Sequence, residues 1–240
     1  ELAKRGDQET THALDVPGGT AVARFSWAGV HESGNYISIP VRLTLPGISD
    51  TMPAISAIRR LLDLDADPMQ ISDALGSDPR LATLIALRPG LRLPGARNSQ
   101  EFALGTVLGQ QASLAAARAL QGRLAAAFAT DLVSPAGYAE GFHSAPNMSR
   151  IADTSTTELR ELIGLTEARA ETLRTVARAL VNGLDLRAGA DRELARTELA
   201  ALRGIGPWSV ELIAMRALGD PDAYPAGDLI LRRALETRTD

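Results

Sequence analysis

Apolar and polar residues alternate over two stretches near the start of the chain. Residues 20–25 alternate, and the alternation returns between residues 36 and 45. A period of two residues is typical of strands in a sheet that has one face in water. Pro17, Gly18 and Gly19 precede the first of these strands and indicate a hairpin turn. The chain is therefore predicted to open with a small antiparallel sheet.

After residue 47 the apolar residues adopt the spacing of a helix. Ile55, Ile58 and Leu62 fall on one face, and Pro53 lies where helices favour proline. The same reasoning predicts helices over residues 71–74, 79–87, 101–110, 112–129, 156–162, 167–181, 191–203, 207–218 and 229–235. A looser connector is predicted over residues 130–149, where proline and glycine recur.

These elements predict an α+β fold that is mostly α, with a small N-terminal antiparallel sheet followed by a helical body. We place the sheet and its accompanying helices in residues 1–97. The remaining helical region occupies residues 98–240 and contains a helix-hairpin-helix over residues 191–218.

The composition is that of a globular protein, with 45% hydrophobic and 22% charged residues. The sequence has no cysteine, which excludes disulfides, thiolate zinc sites and cysteine-held iron–sulfur clusters within it. No apolar run could span a membrane and no signal sequence is visible, so we expect a cytoplasmic protein without a membrane partner. The net charge of -4 argues mildly against nucleic acid as a partner, although a local cluster of arginines would suffice to bind it.

Two glycines bracket one apolar residue where a predicted helix ends near Arg203. Gly204 and Gly206 can both adopt positive φ and leave the backbone open to a phosphate, and Pro207 suits the start of the next helix. Ile205 is predicted to pack between the two helices. Such a turn binds the nucleic-acid backbone without reading its sequence. On spacing alone, a plain helical hairpin with a glycine cap explains the pattern equally well.

Asp228 lies directly before the last predicted helix. The local sequence favours a helix N-cap at this position, whereas Asp220 and Asp222 flank a proline and are interpreted as turn residues. An N-cap position favours the ionised form of a carboxylate. An ionised carboxylate can also stabilise positive charge that develops during bond cleavage, so a structural and a catalytic interpretation of Asp228 are compatible.

Four segments, taken in order, resemble one protein family. Residues 202–208 are Leu-Arg-Gly-Ile-Gly-Pro-Trp, and residues 215–228 are Met-Arg-Ala-Leu-Gly-Asp-Pro-Asp-Ala-Tyr-Pro-Ala-Gly-Asp. Residues 88–95 and 107–113 fit the same pattern. Together they resemble the helix-hairpin-helix (HhH-GPD) DNA glycosylases, and within these the bacterial 3-methyladenine DNA glycosylase II (AlkA-like) subfamily. The resemblance covers most of the chain.

The resemblance implies a monofunctional DNA glycosylase that acts in base excision repair. Such an enzyme flips an alkylated purine, of the 3-methyladenine or 7-methylguanine type, out of duplex DNA and hydrolyses its N-glycosidic bond. Asp228 would be the catalytic carboxylate, and the base pocket would be lined by Trp208, Leu212 and Gln110. Trp208 stands where the lyase branch of the family has its Schiff-base lysine, so no β-elimination is expected.

The resemblance also implies how the chain would hold DNA. Gly204, Ile205 and Gly206 would form the phosphate-binding turn, with Arg203 facing a phosphate. Gln111 would enter the gap left by the flipped nucleotide, where the family usually has an apolar residue. The expected partner is duplex DNA that contains alkylated bases, bound by a monomer.

A structural Na⁺ or K⁺ is implied at the backbone carbonyls of Ala200, Leu202 and Gly204, and no cofactor is expected for catalysis. The sequence departs from the subfamily at Leu212, where an aromatic residue is usual. The subfamily also continues beyond the position of Asp240, so we expect the chain to be truncated at its C-terminus. The alternative function is a non-catalytic helix-hairpin-helix module for DNA binding or damage recognition.

Overall fold

The computed structural model of the chain describes residues 9–33, 36–129 and 145–236. These residues form two compact units. The first contains residues 9–59 and Ala145, and the second contains residues 60–129 and 146–236. The domain boundary expected between residues 97 and 98 stays a prediction. Most of the predicted connector lies outside the described residues, which resume at residue 145. The fold is α+β and mostly helical, as predicted.

The antiparallel sheet predicted from the alternating pattern is present in the first unit. The strands are β1 (Glu9–Val16), β2 (Gly19–Ser26), β3 (His31–Ser33), β4 (Tyr36–Ser38) and β5 (Val41–Thr44). Strands β1, β2 and β5 form the main sheet in that order, and Leu14 and Phe25 are fully buried. The N–H of Gly18 donates to Asp50 Oδ1 at 2.9 Å, which anchors the turn between β1 and β2.

The prediction of one continuous strand over residues 36–45 is wrong, because the structure has two separate strands there, β4 and β5. β4 pairs with β3 in a separate two-stranded sheet, whereas β5 pairs with β2. The break falls at Ile39 and Pro40. Proline has no backbone N–H to give to a strand ladder, so the pairing changes where the alternating pattern continues.

Helices make up most of the second unit. They are α1 (Thr51–Leu61, which begins in the first unit), α2 (Pro68–Gly76), α3 (Pro79–Leu87), α4 (Ser99–Gly109), α5 (Leu114–Phe128), α6 (Met148–Asp153), α7 (Thr156–Ile163), α8 (Glu167–Val181), α9 (Arg192–Ala201), α10 (Pro207–Ile213) and α11 (Leu229–Glu236). Each predicted helix is present: α3 and α8 have the predicted bounds, and the other helices with predicted bounds differ at one or both ends. Helix α6 was missed, because its first two residues were interpreted as part of the connector and the rest were assigned to no element. The helix predicted over residues 207–218 changes after Ile213 into a π-helical turn at Ala214–Leu218. Among the described residues, no helix is long and apolar enough to cross a membrane.

Most of these helices begin at a polar side chain that accepts a hydrogen bond from a backbone N–H of the first turn. The capping residues are Asp67, Asp78, Asn98, Ser113, Asn147, Ser155, Thr166 and Asp191. Such caps contribute about 1 kcal/mol each and explain where the helices start. Helix α10 differs, because its N-cap is Gly206 and has no side chain to offer.

The core of the second unit includes buried residues from the four helices around the hairpin. Leu108 of α4, Leu173 of α8, Leu199 of α9 and Ile213 of α10 are fully buried in one apolar cluster. Burial of a leucine or isoleucine side chain stabilises a fold by about 1.5–3 kcal/mol. The cluster therefore fixes the hairpin between α9 and α10 against the C-terminal end of α4.

Candidate active site and nucleic-acid interface

The turn between α9 and α10 requires glycine at its first position. Gly204 has a φ of 88°, in the left-handed region. A Cβ at this position would lie 2.0 Å from Oγ1 of Thr172 on α8. The Thr172 hydroxyl is itself held, because it donates to the carbonyl of Ala168 at 2.9 Å. Both the backbone conformation and the lack of space therefore exclude a side chain at Gly204.

The second glycine does not adopt the positive φ that we expected. Gly206 has a φ of -95° and a ψ of 173°, an extended conformation that any residue can take. A Cβ on Gly206 would meet no atom within 4 Å. The residue type alone could not distinguish the two glycines. In the structure Gly204 shapes the turn, and Gly206 leaves open space in front of the backbone.

Ile205 anchors the turn from the inside. Its side chain is only 7% exposed and belongs to the helical core. Its backbone N–H donates to the carbonyl of Leu202 at 3.1 Å. Arg203 is exposed on the same turn. The hairpin therefore has a buried apolar anchor and a polar outer surface.

Gln110 connects the end of α4 to the hairpin. Its side-chain Nε2 donates to the Gly204 carbonyl at 2.9 Å and to the Ser209 hydroxyl at 3.0 Å. Its backbone carbonyl accepts a hydrogen bond from the Arg169 guanidinium. The structure therefore places the amide of Gln110, expected to line a base pocket, directly against the hairpin turn.

Gln111 is exposed and adopts a left-handed conformation, with a φ of 49°. This conformation costs a residue with a side chain about 1–2 kcal/mol. The preceding peptide is held at the Gln110 carbonyl by Arg169. Strained positions of this kind cluster at binding and catalytic sites. Gln111 thus projects from a fixed turn beside the hairpin.

Asp228 is a helix cap and a partner of Trp208 at the same time. Its Oδ1 accepts hydrogen bonds from the backbone N–H groups of Ile230 at 2.9 Å and Leu231 at 3.0 Å. Its Oδ2 accepts from the Trp208 indole Nε1 at 3.0 Å. The Leu231 N–H and the Trp208 indole together hold the pKa of Asp228 below its ordinary value. The carboxylate is therefore ionised at neutral pH and remains partly exposed.

Trp208 and Leu212 lie four residues apart on α10 and are both half-buried. Residues at this spacing share one face of a helix. A Cβ on Gly227 would lie 3.8 Å from the Trp208 Cβ, so the backbone just before Asp228 runs in contact with Trp208. The hairpin helix therefore positions both the carboxylate and the chain that carries it.

The order of these elements matches known protein families. A family model described as "HhH-GPD superfamily base excision DNA repair protein" matches residues 104–237. The chain belongs to this superfamily. A second model, described as "AlkA N-terminal domain", matches residues 5–98 of this HhH-GPD protein.

Two relatives of this HhH-GPD chain illustrate the match. The chain is 42% identical to a "Probable bifunctional transcriptional activator/DNA repair enzyme AlkA" of Mycobacterium tuberculosis, over 80% of this chain and 38% of the relative. It is 31% identical to "DNA-3-methyladenine glycosylase 2" of Escherichia coli, over 75% of this chain and 60% of the relative. The chain thus spans less than two thirds of the length of either relative.

The fold is also that of solved glycosylase structures. A 3-methyladenine DNA-glycosylase from Archaeoglobus fulgidus superposes with a TM-score of 0.77 at 21% identity, covering 97% of this chain and 76% of that one. An 8-oxoguanine glycosylase/lyase of Clostridium acetobutylicum, in complex with double-stranded DNA, gives 0.69 at 15% identity, covering 95% and 76%. At these identities the similarity concerns the fold alone.

One group of charged residues near the HhH-GPD site was missed by the sequence reasoning. Asp220, interpreted as a turn residue, does accept the Asp222 N–H at 3.1 Å, but it is also buried and paired with Arg196. Arg196 further pairs with Glu211. The partners of Arg196 lie 15 and 24 residues away in sequence, and no local pattern signals contacts at such distances.

Proposed function

We propose that this chain is a monofunctional DNA glycosylase that hydrolyses the N-glycosidic bond of alkylated purines, of the 3-methyladenine and 7-methylguanine type, in duplex DNA. The observation that carries the proposal is the ionised carboxylate of Asp228, held by Trp208 beside the hairpin turn. A module that only binds DNA needs no carboxylate there, because a negative charge repels phosphate.

The lowered pKa of Asp228 indicates the role of its carboxylate. A carboxylate of low pKa is a weak proton acceptor, so general-base catalysis gains little from it. Its negative charge can instead stabilise the sugar cation that forms as the C1′–N bond breaks. The bond's electron pair leaves with the cationic alkylated base, which departs as a neutral molecule. Water then adds to C1′ and loses its proton to solvent.

The absence of a lyase step is supported by the amino-acid composition. Schiff-base chemistry requires a primary amine at the reacting sugar carbon. The 240-residue sequence contains a single lysine, Lys4, near the start of the sheet region. At position 208, next to the hairpin glycines, the residue is tryptophan. Under the proposal the product is therefore an intact strand with an abasic site.

DNA would bind at the hairpin turn, and the duplex would open beside it. The open backbone at Gly206 and the exposed Arg203 suit contacts with phosphate, which fix position without reading sequence. Gln111, fixed in its left-handed turn, suits the gap left by a flipped nucleotide. Partial exposure of the Trp208 ring leaves an aromatic surface on which an electron-poor base can stack.

We also propose a structural Na⁺ or K⁺ at the carbonyls of Ala200, Leu202 and Gly204. Carbonyls at a helix end lack helical partners, and carbonyl oxygens suit monovalent cations. The Leu202 and Gly204 carbonyls each accept one N–H, from Ile205 and Gln110, and each keeps a second lone pair. The cation would add positive charge behind the phosphate-facing backbone. The Kd for duplex DNA should then be lower in K⁺ than in tetramethylammonium at equal ionic strength, and equal values would contradict this site.

The test of the proposed function is product analysis on duplex DNA that carries 3-methyladenine or 7-methylguanine. We expect free base, an abasic strand that remains uncut, and no covalent complex after borohydride reduction. DNA that is bound without release of base would instead identify the non-catalytic module. A complex trapped by borohydride would contradict the monofunctional mechanism.

A further inference from the structure

The helix that follows Asp228 bonds its carboxylate through two backbone N–H groups but does not anchor it to the core. Helix α11 contributes no buried side chain among its described residues, and Leu229 and Ile230 are exposed at 65% and 77%. The aspartate lies at the end of a connecting loop, residues 219–228, which joins the π-helical turn to α11. The contacts of this loop with the hairpin helices therefore determine where the carboxylate lies.

The start of the loop is held by two arginines on one face of α9. Arg196 donates to Oδ2 of Asp220 through Nε at 3.1 Å and Nη2 at 2.7 Å. Arg192, four residues earlier, donates to the carbonyl of Gly219 at 3.3 Å. Residues four apart on a helix point the same way, so α9 presents both guanidinium groups to the loop.

The middle of the loop is held by α10. Oε2 of Glu211 accepts the backbone N–H of Tyr224 at 2.9 Å. The same carboxylate accepts two hydrogen bonds from Arg196, through Nη1 and Nη2. Glu211 lies three residues after Trp208 on α10, so one helix face holds both the middle of the loop and its catalytic end.

The charged groups of Arg196, Glu211 and Asp220 are suited to hold the loop against the hairpin helices. The side chains of Arg196, Glu211 and Asp220 are 19%, 27% and 9% exposed, so the pairs are shielded from solvent. The hydrogen bond from Arg196 lowers the pKa of Glu211. Burial alone would raise the pKa of Asp220, but hydrogen bonds from Arg196 and from the Asp222 N–H lower it overall. All three groups are therefore charged at neutral pH, and Arg196 lies between two carboxylates that would otherwise repel each other, leaving one net negative charge in the group.

We propose that Arg196 is a positioning residue for Asp228, because it joins Asp220 and Glu211 and so fixes the loop that carries the catalytic carboxylate. The inference rests on the proposed function. Without the guanidinium, the two carboxylates separate, the loop is released at its start and middle, and Asp228 loses its fixed place relative to the sugar. The excision step then slows, whereas DNA binding at the hairpin turn is retained, because the hydrogen bonds of Arg196 go to Asp220 and Glu211 and not to the turn.

The test is a double-mutant cycle on single-turnover excision of 7-methylguanine. Arg196→Met should slow excision about tenfold or more in the otherwise wild-type protein. Arg196→Lys keeps the charge but not the fork that bonds both carboxylates, so it should recover only part of the rate. In an Asp228→Asn background the same Arg196→Met change should cost nothing further, because residues that act as a unit are not additive. The Kd for abasic product DNA should be unchanged. An equal fold loss in both backgrounds, or no loss in either, would overturn the inference.

The matched control is Arg187→Met, which breaks an ion pair with Asp185 whose arginine is 82% exposed. This variant should excise at the wild-type rate. If Arg196→Met does not fold, Glu211→Gln carries the same test, since it removes the charge that faces Arg196 and keeps the size of the side chain. The decrease in excision rate caused by Glu211→Gln should likewise disappear in the Asp228→Asn background.

A second readout does not depend on activity. The chain has two tryptophans, so the indole N–H signals in a ¹H–¹⁵N spectrum can be assigned with Trp27→Phe. Arg196→Met should shift or broaden the Trp208 signal, whose N–H donates to Asp228, and Arg187→Met should not. A wild-type chain that releases no base would refute the proposed function. A Trp208 signal unmoved by Arg196→Met would refute the positioning role.

Discussion

Replacing Trp208 by phenylalanine removes the indole N–H that donates to Asp228 Oδ2 and keeps an aromatic ring at the same place. A hydrogen bond to a charged group contributes about 1.5–3 kcal/mol, and the half-exposed position favours the lower end. About 1.4 kcal/mol corresponds to a tenfold change in rate. We therefore expect Trp208→Phe to slow single-turnover excision about tenfold if the carboxylate must be held in place.

The same substitution should change the pH dependence of excision. The pKa of Asp228 is lowered in the folded protein, so the active ionised form persists below the ordinary carboxyl range and is lost only as pH falls through that lowered pKa. Loss of the indole hydrogen bond raises this pKa, and the acid limb of the rate profile should move to higher pH. Trp27→Phe is the control, since Trp27 donates to Thr10 in the sheet. An unchanged rate and acid limb in Trp208→Phe would refute the reasoning.

Four substitutions test the turn geometry, the opening of the DNA duplex and the electrostatics separately. Gly204→Ala should destabilise the fold by more than about 2 kcal/mol in urea unfolding, because of its φ and the approach of Thr172, whereas Gly206→Ala should leave stability unchanged and weaken DNA binding. Equal stability of the two variants would contradict the assignment of their roles. Gln111→Gly keeps the left-handed turn at no steric cost, so it should slow excision while thermal stability changes by less than about 1 kcal/mol; an unchanged rate would argue against insertion. Asp220 and Glu211 have lowered pKa values, so the stabilisation from their pairing with Arg196 is present at neutral pH and lost as pH falls through those values. The difference in free energy of unfolding between wild type and Arg196→Met should therefore shrink at acid pH. A constant difference would be inconsistent with ionised pairs.

Local patterns predicted much of the site. The segment around Ile205 was predicted as a turn with one buried anchor, and Asp228 as a helix cap compatible with catalysis. Both conclusions use residues within a few positions of each other, where capping and helix spacing operate. The conformation of Gly206 was not predictable in this way, because glycine permits both signs of φ. The close approach of Thr172 on α8, which only Gly204 meets, is a tertiary contact that the local sequence does not report.

Contacts between distant residues could not be predicted. The hydrogen bond from Trp208 to Asp228 spans 20 residues, and that from Gln110 to Gly204 spans 94. These contacts depend on how α4, α9 and α10 pack, which no single-sequence pattern reports. In the sheet, the alternating pattern was followed across Pro40, although the missing N–H of proline ends the ladder there.

The most direct test of the central claim compares single-turnover release of 7-methylguanine by the wild-type chain, Asp228→Asn and Asp222→Asn. Asp222 is an exposed aspartate of the same loop and serves as the matched control. The charge of Asp228 should contribute about 100-fold or more to the rate, so Asp228→Asn should lose that factor with unchanged affinity for abasic DNA. Asp222→Asn should release base at the wild-type rate. Release by Asp228→Asn at the wild-type rate would contradict the assignment of the catalytic carboxylate.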